Sequence, residues 1–286
     1  MILLDLLFLA GASLLIWMQW IEPNRRGLNR HPVSILKPLK RPIRILHITD
    51  THFNQRDEAL SQFFDKLSQE EVDLIVITGD IMDRLVGIDE CCRNLKKLKS
   101  VYGTFAVFGN HDYYTFGLVD GILHNFPGQP YPKRKNRVDV FKKRLEEIGV
   151  RVLMNETVPL QIDHTPFLIH GLDDPTTGHA NIRKTMQQFD SKKINILLTH
   201  TVDVFLDIGE GEIDLAFSGH SHGGQVRFPW IGPVFTHTRM GRKYASGIFR
   251  IQGAVCCISR GMNAGRHLRF RLLCPPEAIL LTVAGS

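Results

Sequence analysis

The chain has 286 residues, 43% of them hydrophobic and 22% charged, with 35 Lys and Arg against 29 Asp and Glu. Globular usage of this kind excludes a disordered or collagen-like chain, and the length admits one large or two small domains with a full core. The modest basic excess favours anionic partners such as phosphates, nucleic acid or an acidic lipid surface, without choosing among them.

Residues 2–21 are almost wholly apolar, broken by Asp5, Ser13 and Gln19. Twenty helical residues rise about 30 Å, the thickness of a hydrocarbon core. A cleaved leader fits poorly: no Lys or Arg precedes the run and no small-residue cleavage pattern follows it. An amphipathic or core-packed first helix is the competing reading. Residues 1–22 are therefore expected to form a membrane segment. Residues 23–42 carry Arg25, Arg26, Arg30, Lys37, Lys40 and Arg41 among four prolines, and are expected to be a basic linker without helical or strand period.

From residue 43 the pattern changes. Short apolar runs at 43–49, 72–78 and 104–108 read as buried strands, and 57–71, 88–99 and 138–148 as helices. Strands near 167–170, 194–199 and 213–218 continue the alternation, which predicts a largely parallel sheet. The stretch 113–137, aromatic and proline-rich and ending in a basic run, is expected to be an insertion over one face. The tail holds strand-like pieces at 224–228, 247–251, 255–259 and 278–283. No repeat or second composition boundary is visible, so 43–286 is expected to be one domain. The five cysteines form two vicinal pairs, Cys91-Cys92 and Cys256-Cys257, plus Cys274, which is no disulfide framework and reads as reduced thiols.

Each buried strand ends in chemistry-bearing residues. The first runs into Asp50-Thr-His52, the second into Gly79-Asp80-Ile-Met-Asp83, and the third into Gly109-Asn110-His111-Asp112. Later strands run into His200 and into Gly219-His220-Ser-His222. Ligands of open α/β sheets sit beyond the carboxyl ends of the strands, so Asp50, His52, Asp80, Asn110, His200, His220 and His222 are expected in one place. Two carboxylates, an amide oxygen and four imidazoles suit Mn, Fe or Zn better than Ca. Seven ligands exceed one tetrahedral site but fit two ions sharing a carboxylate. Alternate side chains on an extended segment share a face, so His220 and His222 can serve neighbouring ions. Glycine before Asp80, Asn110 and His220 would let backbone pass close to the site.

This ordered series, spread over about 43–283, resembles the calcineurin-like metallophosphoesterase superfamily. The resemblance implies a four-layer α/β/β/α sandwich. It assigns Asp50, His52, Asp80 and His222 to one ion and Asp80, Asn110, His200 and His220 to the other, with Asp80 bridging. It makes His111 the catalytic acid and Asp83 the group that orients it, while Asp112 reads as a turn or cap. Manganese is the expected metal, with iron, zinc or magnesium as alternatives. Two ions about 3.5–4 Å apart clamp phosphoryl oxygens and activate water, and the acid protonates the leaving oxygen. Arg84 and Arg227 are candidate phosphate contacts.

Downstream, Gly219–Arg227, Lys243-Tyr244, Ser259-Arg260-Gly261 and Cys274-Pro-Pro-Glu277 resemble the bacterial YkuE/YaeI-type branch, as does Leu172-Asp173-Asp174, read as a structural loop. That branch includes UDP-2,3-diacylglucosamine pyrophosphatases of chlamydial type, enzymes of lipid A biosynthesis. The expectation is a membrane-attached hydrolase of a lipid-linked phosphoester or pyrophosphate. Linker and insertion would offer cations to acidic headgroups, and Tyr113, Tyr114, Phe116, Phe126 and Tyr131 would receive acyl chains or pack the loop locally. A generic phosphodiesterase or phosphoprotein phosphatase is the enzymatic alternative, and a non-catalytic scaffold the alternative of another class. No nucleic-acid partner is expected, since no basic stripe with interleaved aromatics is present. Positive residues only after the apolar run place the catalytic part on the cytoplasmic side of the inner membrane. The oligomeric state is left open.

Overall fold

The structure, a computed structural model, describes residues 2–117, 119–120, 130–263 and 269–286. Two six-stranded sheets pack face to face. The first has the order β1 (Gly27–Ile35), β14 (Glu277–Gly285), β2 (Ile43–Ile48), β3 (Leu74–Thr78), β4 (Thr104–Val107), β5 (Val150–Val152). It is parallel except where β14 meets β2. The second has the order β12 (Gly247–Ile251), β13 (Ala254–Ile258), β9 (Leu215–Ser218), β8 (Ile194–Leu198), β7 (Thr165–Gly171), β6 (Glu156–Ile162). Its three middle pairings are parallel and its two outer ones antiparallel.

Strand alternation explains the layers. Ile45, Leu74 and Val76 face the second sheet and share a core with Ile169, Ile196 and Leu215. Their neighbours Leu46, Ile75 and Ile77 face outward, under α2 (Glu58–Leu67), α3 (Ile88–Leu95) and the helix Val138–Glu146. Helix α2 starts where the Asp57 carboxylate accepts the Leu60 N–H at 2.9 Å, and it buries Leu60, Phe63, Phe64 and Leu67 at helical spacing. The outer face of the second sheet is covered by short pieces, chiefly the 3₁₀ turn Val202–Leu206 and the one-turn helix Ile182–Thr185. The four layers expected are present, the last one thin. The vicinal thiols Cys256 and Cys257 straddle β13, one in the outer core and one between the sheets, and all five cysteines are free and buried.

The sequence reading departs from the structure in several places. The stretch expected to be a structureless linker contains β1, nine residues paired in parallel with β14. Its position at the sheet edge tolerates Pro32 and leaves most side chains outside the core, which erases the alternating pattern. Its cations are largely spent internally: Arg26 on Asp57, Lys37 on Asp214 at 2.7 Å, and Arg41 on both Asp73 oxygens. They are therefore poorer headgroup contacts than their number implies, while Lys133, Arg134 and Lys135 stay exposed. Strands β5 and β6 were not legible, being short or interrupted by Pro159. The strand expected at 224–228 is a 3₁₀ turn, His222–Gly224, followed by the two-residue β10 (Arg227–Phe228), because Gly223 and Gly224 take positive φ. β10 pairs with β11 (Gly232–Pro233) in a small hairpin.

At the amino end, α1 (Ile2–Ile16) buries none of its residues and continues through a wider turn, Trp17–Ile21. Residues Ile2–Asn24 are long and apolar enough to cross a membrane by length and composition. The end of this helix is fixed to the domain. The Arg271 N–H donates to Met18 O at 3.0 Å, and the buried Glu22 carboxylate accepts the Cys274 N–H at 2.6 Å and the Trp17 indole N–H at 2.8 Å. The insertion leaves and returns at one place: Thr115 donates to Arg134 O and Asn136 to Tyr113 O. Its residues 121–129, Phe126 among them, lie outside the described residues.

If residues 27–35 belong to the fold, Ile35→Ala will destabilise the domain by about 2–5 kcal/mol, the range for truncating a buried isoleucine. Chemical unfolding measures this, and a mere tether would show no change.

Candidate metal centre and its acid

Six of the seven expected ligands converge at the carboxyl ends of β2, β3, β8 and β9, and Asn110, past the end of β4, directly precedes His111, whose N–H reaches the Asp80 carboxylate. Asp50, His52, Asp80 and His222 form one set and Asp80, His200 and His220 another, the ligating atoms within each lying within 4.8 Å of one another. In the first set His222 Nε2 lies 3.5 Å from Asp50 Oδ1, and His52 Nε2 lies 3.3 Å from His222 Nε2. In the second, His200 Nε2 lies 3.3 Å from Asp80 Oδ1 and 3.1 Å from His220 Nδ1. Asp80 belongs to both.

Local backbone makes this convergence possible. Asp50, His52, Asp80, His220 and His222 all adopt left-handed conformations, with φ between 46° and 70°. Non-glycine residues rarely do so, and the cost is of order 1–3 kcal/mol each. Surrounding hydrogen bonds hold them there: Asp50 N–H to Gly79 O, His52 N–H to Asp80 O, and His220 N–H onto the Asp50 carboxylate. The glycines are needed for close approach. A Cβ on Gly79 would lie 2.5 Å from His200 Nδ1, one on Gly109 would strike the Asp80 carboxylate, and one on Gly219 the Asp50 carboxylate.

The residues fit divalent ions. Asn110 Oδ1 and His222 Nδ1 are buried without a hydrogen-bond partner, a cost that a cation beside the amide oxygen would remove. Burial and neighbouring imidazoles push His220 and His222 well below the usual histidine range, leaving them neutral as ligands must be. His52 and His200 go the other way. Burial opposes their protonation, but Asp83 and Asp80 outweigh it for His52, raising it to about 9, and Asp80 does so for His200, raising it to about 10. In the protein's own field, protons on these two rings balance the buried carboxylates. A bound cation replaces them.

His111 lies at the rim of the cluster, its side chain 20% exposed. Its Nδ1 is 2.9 Å from Asp83 Oδ1, and the same oxygen is 2.7 Å from His52 Nδ1. Asp83 thus holds a ligand and the rim histidine together, a double role the sequence reading missed. The His111 N–H donates to Asp80 Oδ1 at 2.8 Å, and its ring stacks on Phe116 at 4.3 Å. Asn136, which nothing in the sequence singled out, donates its amide to His111 O at 2.9 Å and to Asp83 O at 3.3 Å. His237, also missed, has its ring centroid 5.7 Å from that of His220. Both return from distant segments, where no local motif marks them.

Asp112 is the cap it was read as: its carboxylate accepts from the N–H groups of Gly109, Ile81 and Met82. Asp174 organises its own turn by accepting from Thr176 and Thr177, and Asp173 accepts the Tyr113 hydroxyl. Tyr113 is buried and stacked on His179, and Phe116 is buried on His111, so these two aromatics pack the base of the insertion and offer no open surface to acyl chains. Of the two arginines, Arg84 is half-buried beside Asp83. Arg227 donates through Nη1 to Gly223 O at 3.3 Å and Ser246 Oγ at 3.0 Å, bracing the turn that carries His222.

Two buried carboxylates sharing four imidazoles and an amide at the ends of parallel strands, with a carboxylate-held histidine at the rim, define a metal-dependent phosphoesterase. The chain belongs to the calcineurin-like phosphoesterase family, whose pattern matches residues 43–224. It is a hydrolase of a family that works with divalent metal ions. It is 32% identical to the metallophosphoesterase YkoQ of Bacillus subtilis (strain 168) over 67% of this chain, and it spans about two thirds of that relative, 65%. It is 29% identical to the UDP-2,3-diacylglucosamine pyrophosphatase LpxG of Chlamydia muridarum (strain MoPn / Nigg), over 93% of this chain and 92% of the relative. To the phosphodiesterase YaeI of Escherichia coli (strain K12) it is 26% identical, over 93% and 91%.

Metal binding should displace protons from His52, raised to about 9, and from His200, raised to about 10, so affinity should strengthen as pH rises through both values and weaken as it falls below them. Calorimetric manganese titrations at several pH values, in buffers of different ionisation enthalpy, read both the affinity and the proton release. Asp80→Asn should weaken both binding positions and His222→Ala only one, as metal analysis of the purified variants will reveal.

Proposed function

We propose that this protein is a membrane-attached two-metal hydrolase of a lipid-linked phosphate, with UDP-2,3-diacylglucosamine pyrophosphatase-like cleavage as the leading reading. One observation carries it: a single residue, Cys274, bridges the end of the candidate span and a proposed ligand. Glu22 accepts the Cys274 N–H, and Cys274 Sγ lies 3.4 Å from His222 O. A site joined so closely to an anchor meets substrates at the bilayer surface. The similarity to LpxG along nearly the whole chain supports the same substrate class.

In this reading Asp50, His52, Asp80 and His222 hold one ion, and Asp80, Asn110, His200 and His220 the other, manganese being the first candidate. Two such ions supply an activated water and neutralise phosphoryl charge. His111 donates the proton to the leaving oxygen. Its Nδ1 is committed to Asp83, so Nε2 is the nitrogen left for that task, and the carboxylate fixes the tautomer and steadies the charged ring. Asn136 and the Phe116 ring keep His111 at the rim. Arg84, next to Asp83, is a candidate phosphate contact, while Arg227 braces the turn that carries His222. The catalytic part faces the cytoplasm, on the argument that Arg25, Arg26 and Arg30 closely follow the apolar run. The similarity to a phosphodiesterase favours a second reading, hydrolysis of a water-soluble diester at the same centre.

A manganese-supplemented panel of UDP-2,3-diacylglucosamine, bis-p-nitrophenyl phosphate, p-nitrophenyl phosphate and phosphopeptides separates these readings. Preference for the lipid pyrophosphate supports the first; preference for the soluble diester selects the second. His111→Ala should retain metal and lose about 10²–10⁴-fold in kcat. The loss should shrink for substrates with good leaving groups, whereas an equal loss across leaving groups would assign His111 to binding. A carboxyl-terminal fluorescent-protein fusion should glow and an alkaline phosphatase fusion stay silent. The reverse result would overturn the cytoplasmic orientation.

A further inference from the structure

Among the described residues of the catalytic domain, the β10–β11 hairpin and its flanks expose a group of large apolar side chains. Phe228, Trp230, Ile231 and Phe235 are all exposed, Trp230 completely. A soluble surface tolerates scattered apolar residues, but several large ones on one hairpin mark an interaction site. Trp230 also adopts φ 63°, an unfavourable conformation for a bulky residue, at the outermost point of the turn.

The covering partner can be argued from connectivity. One short segment joins this hairpin to the end of the apolar amino-terminal helix. Arg271 N–H donates to Met18 O at 3.0 Å, while the next residue, Leu272, accepts the Arg227 N–H at 2.9 Å and donates to Gln225 O at 3.0 Å. The roots of helix and hairpin are thus held by adjacent residues, whose Cα atoms are about 3.8 Å apart. Three more residues of hairpin reach roughly 10 Å from that root. The chain has three tryptophans, and all lie in these two elements: Trp17 and Trp20 at the helix end, Trp230 at the hairpin tip. Tryptophan is the residue most at home at the level of lipid headgroups. Leu273, beside the junction, is exposed as well. Past the hairpin, Arg242 and Lys243 are exposed, as an anionic headgroup layer would require.

We propose that the 228–235 hairpin is a second membrane contact: its tip enters the headgroup layer of the same bilayer that takes residues 2–21. This rests on the membrane reading of that segment and deepens it. One anchor leaves a domain free to swivel; two contacts fix its orientation. Since the hairpin follows directly on the His222–Gly224 turn, the orientation so fixed sets the metal centre beside the lipid surface. A phosphate attached to an acyl chain can then reach the centre without its chains leaving the bilayer.

The test uses the full chain in phosphatidylethanolamine–phosphatidylglycerol vesicles containing phospholipid brominated along the acyl chains, which quenches tryptophan on contact. Trp230→Phe leaves only the helix tryptophans, and Trp17→Phe with Trp20→Phe leaves only Trp230. Quenching of both proteins supports the proposal. Quenching of the helix tryptophans with Trp230 unaffected overturns the hairpin contact while the anchor stands, and assigns the exposed face to another occupant such as a second copy of the chain. Loss of quenching in both overturns the anchor reading together with the proposal. A second measurement avoids any change near Glu22. The acyl-bromide quenching of the native chain, less that of Trp230→Phe, gives the Trp230 share with Trp17 and Trp20 in place: a loss of quenched emission in the variant supports the hairpin contact, and no difference overturns it. Hydrolysis of bis-p-nitrophenyl phosphate by Trp230→Phe should be unchanged.

Discussion

Everything about this molecule answers to the problem of keeping Asp50 and Asp80 buried side by side. Two carboxylates without water repel each other and forfeit hydration, so the fold must bring compensating groups to them from every direction. It does so with His52 beside Asp50, with imidazoles from two other strand ends, with the Asn110 amide, and with N–H groups such as those of His111 and His220. The left-handed turns at Asp50, His52, Asp80, His220 and His222 follow from this, since each strand must stop and aim a side chain backwards within two residues. Strain on that scale survives only because two packed sheets fix where every strand ends.

This constraint explains why the site was legible before the fold. The ligands fall within a residue or two of strand ends, and a buried parallel strand is a run of Ile, Val and Leu that announces itself. Local sequence therefore records both the strand and its product. The same logic explains what was missed. Asn136 and His237 reach the centre from segments with no strand leading into them, and β1 is an edge strand whose outward side chains carry no period. The second role of Asp83 was invisible for a different reason. One carboxylate oxygen facing two imidazoles is a fact about three elements at once, and no window of sequence contains it.

That shared oxygen also couples two imidazole rings. Holding His52 and His111 on one atom means that a change in either ring is felt by the other. The Phe116 ring and the Asn136 amide limit how far His111 can respond. Such a bridge makes the rim histidine part of the centre, although it belongs to neither of the proposed ligand sets.

The place of β14 has a consequence for how the chain is made. Drawn from the far end of the sequence, it lies between β1 and β2 and bonds to both. During synthesis the residues of β1 and β2 emerge long before those of β14. Until β14 arrives, β1 has no partner and one edge of β2 stays open, an invitation to mispairing. The nascent domain must therefore wait, with these edges unsealed, for β14 to thread the gap.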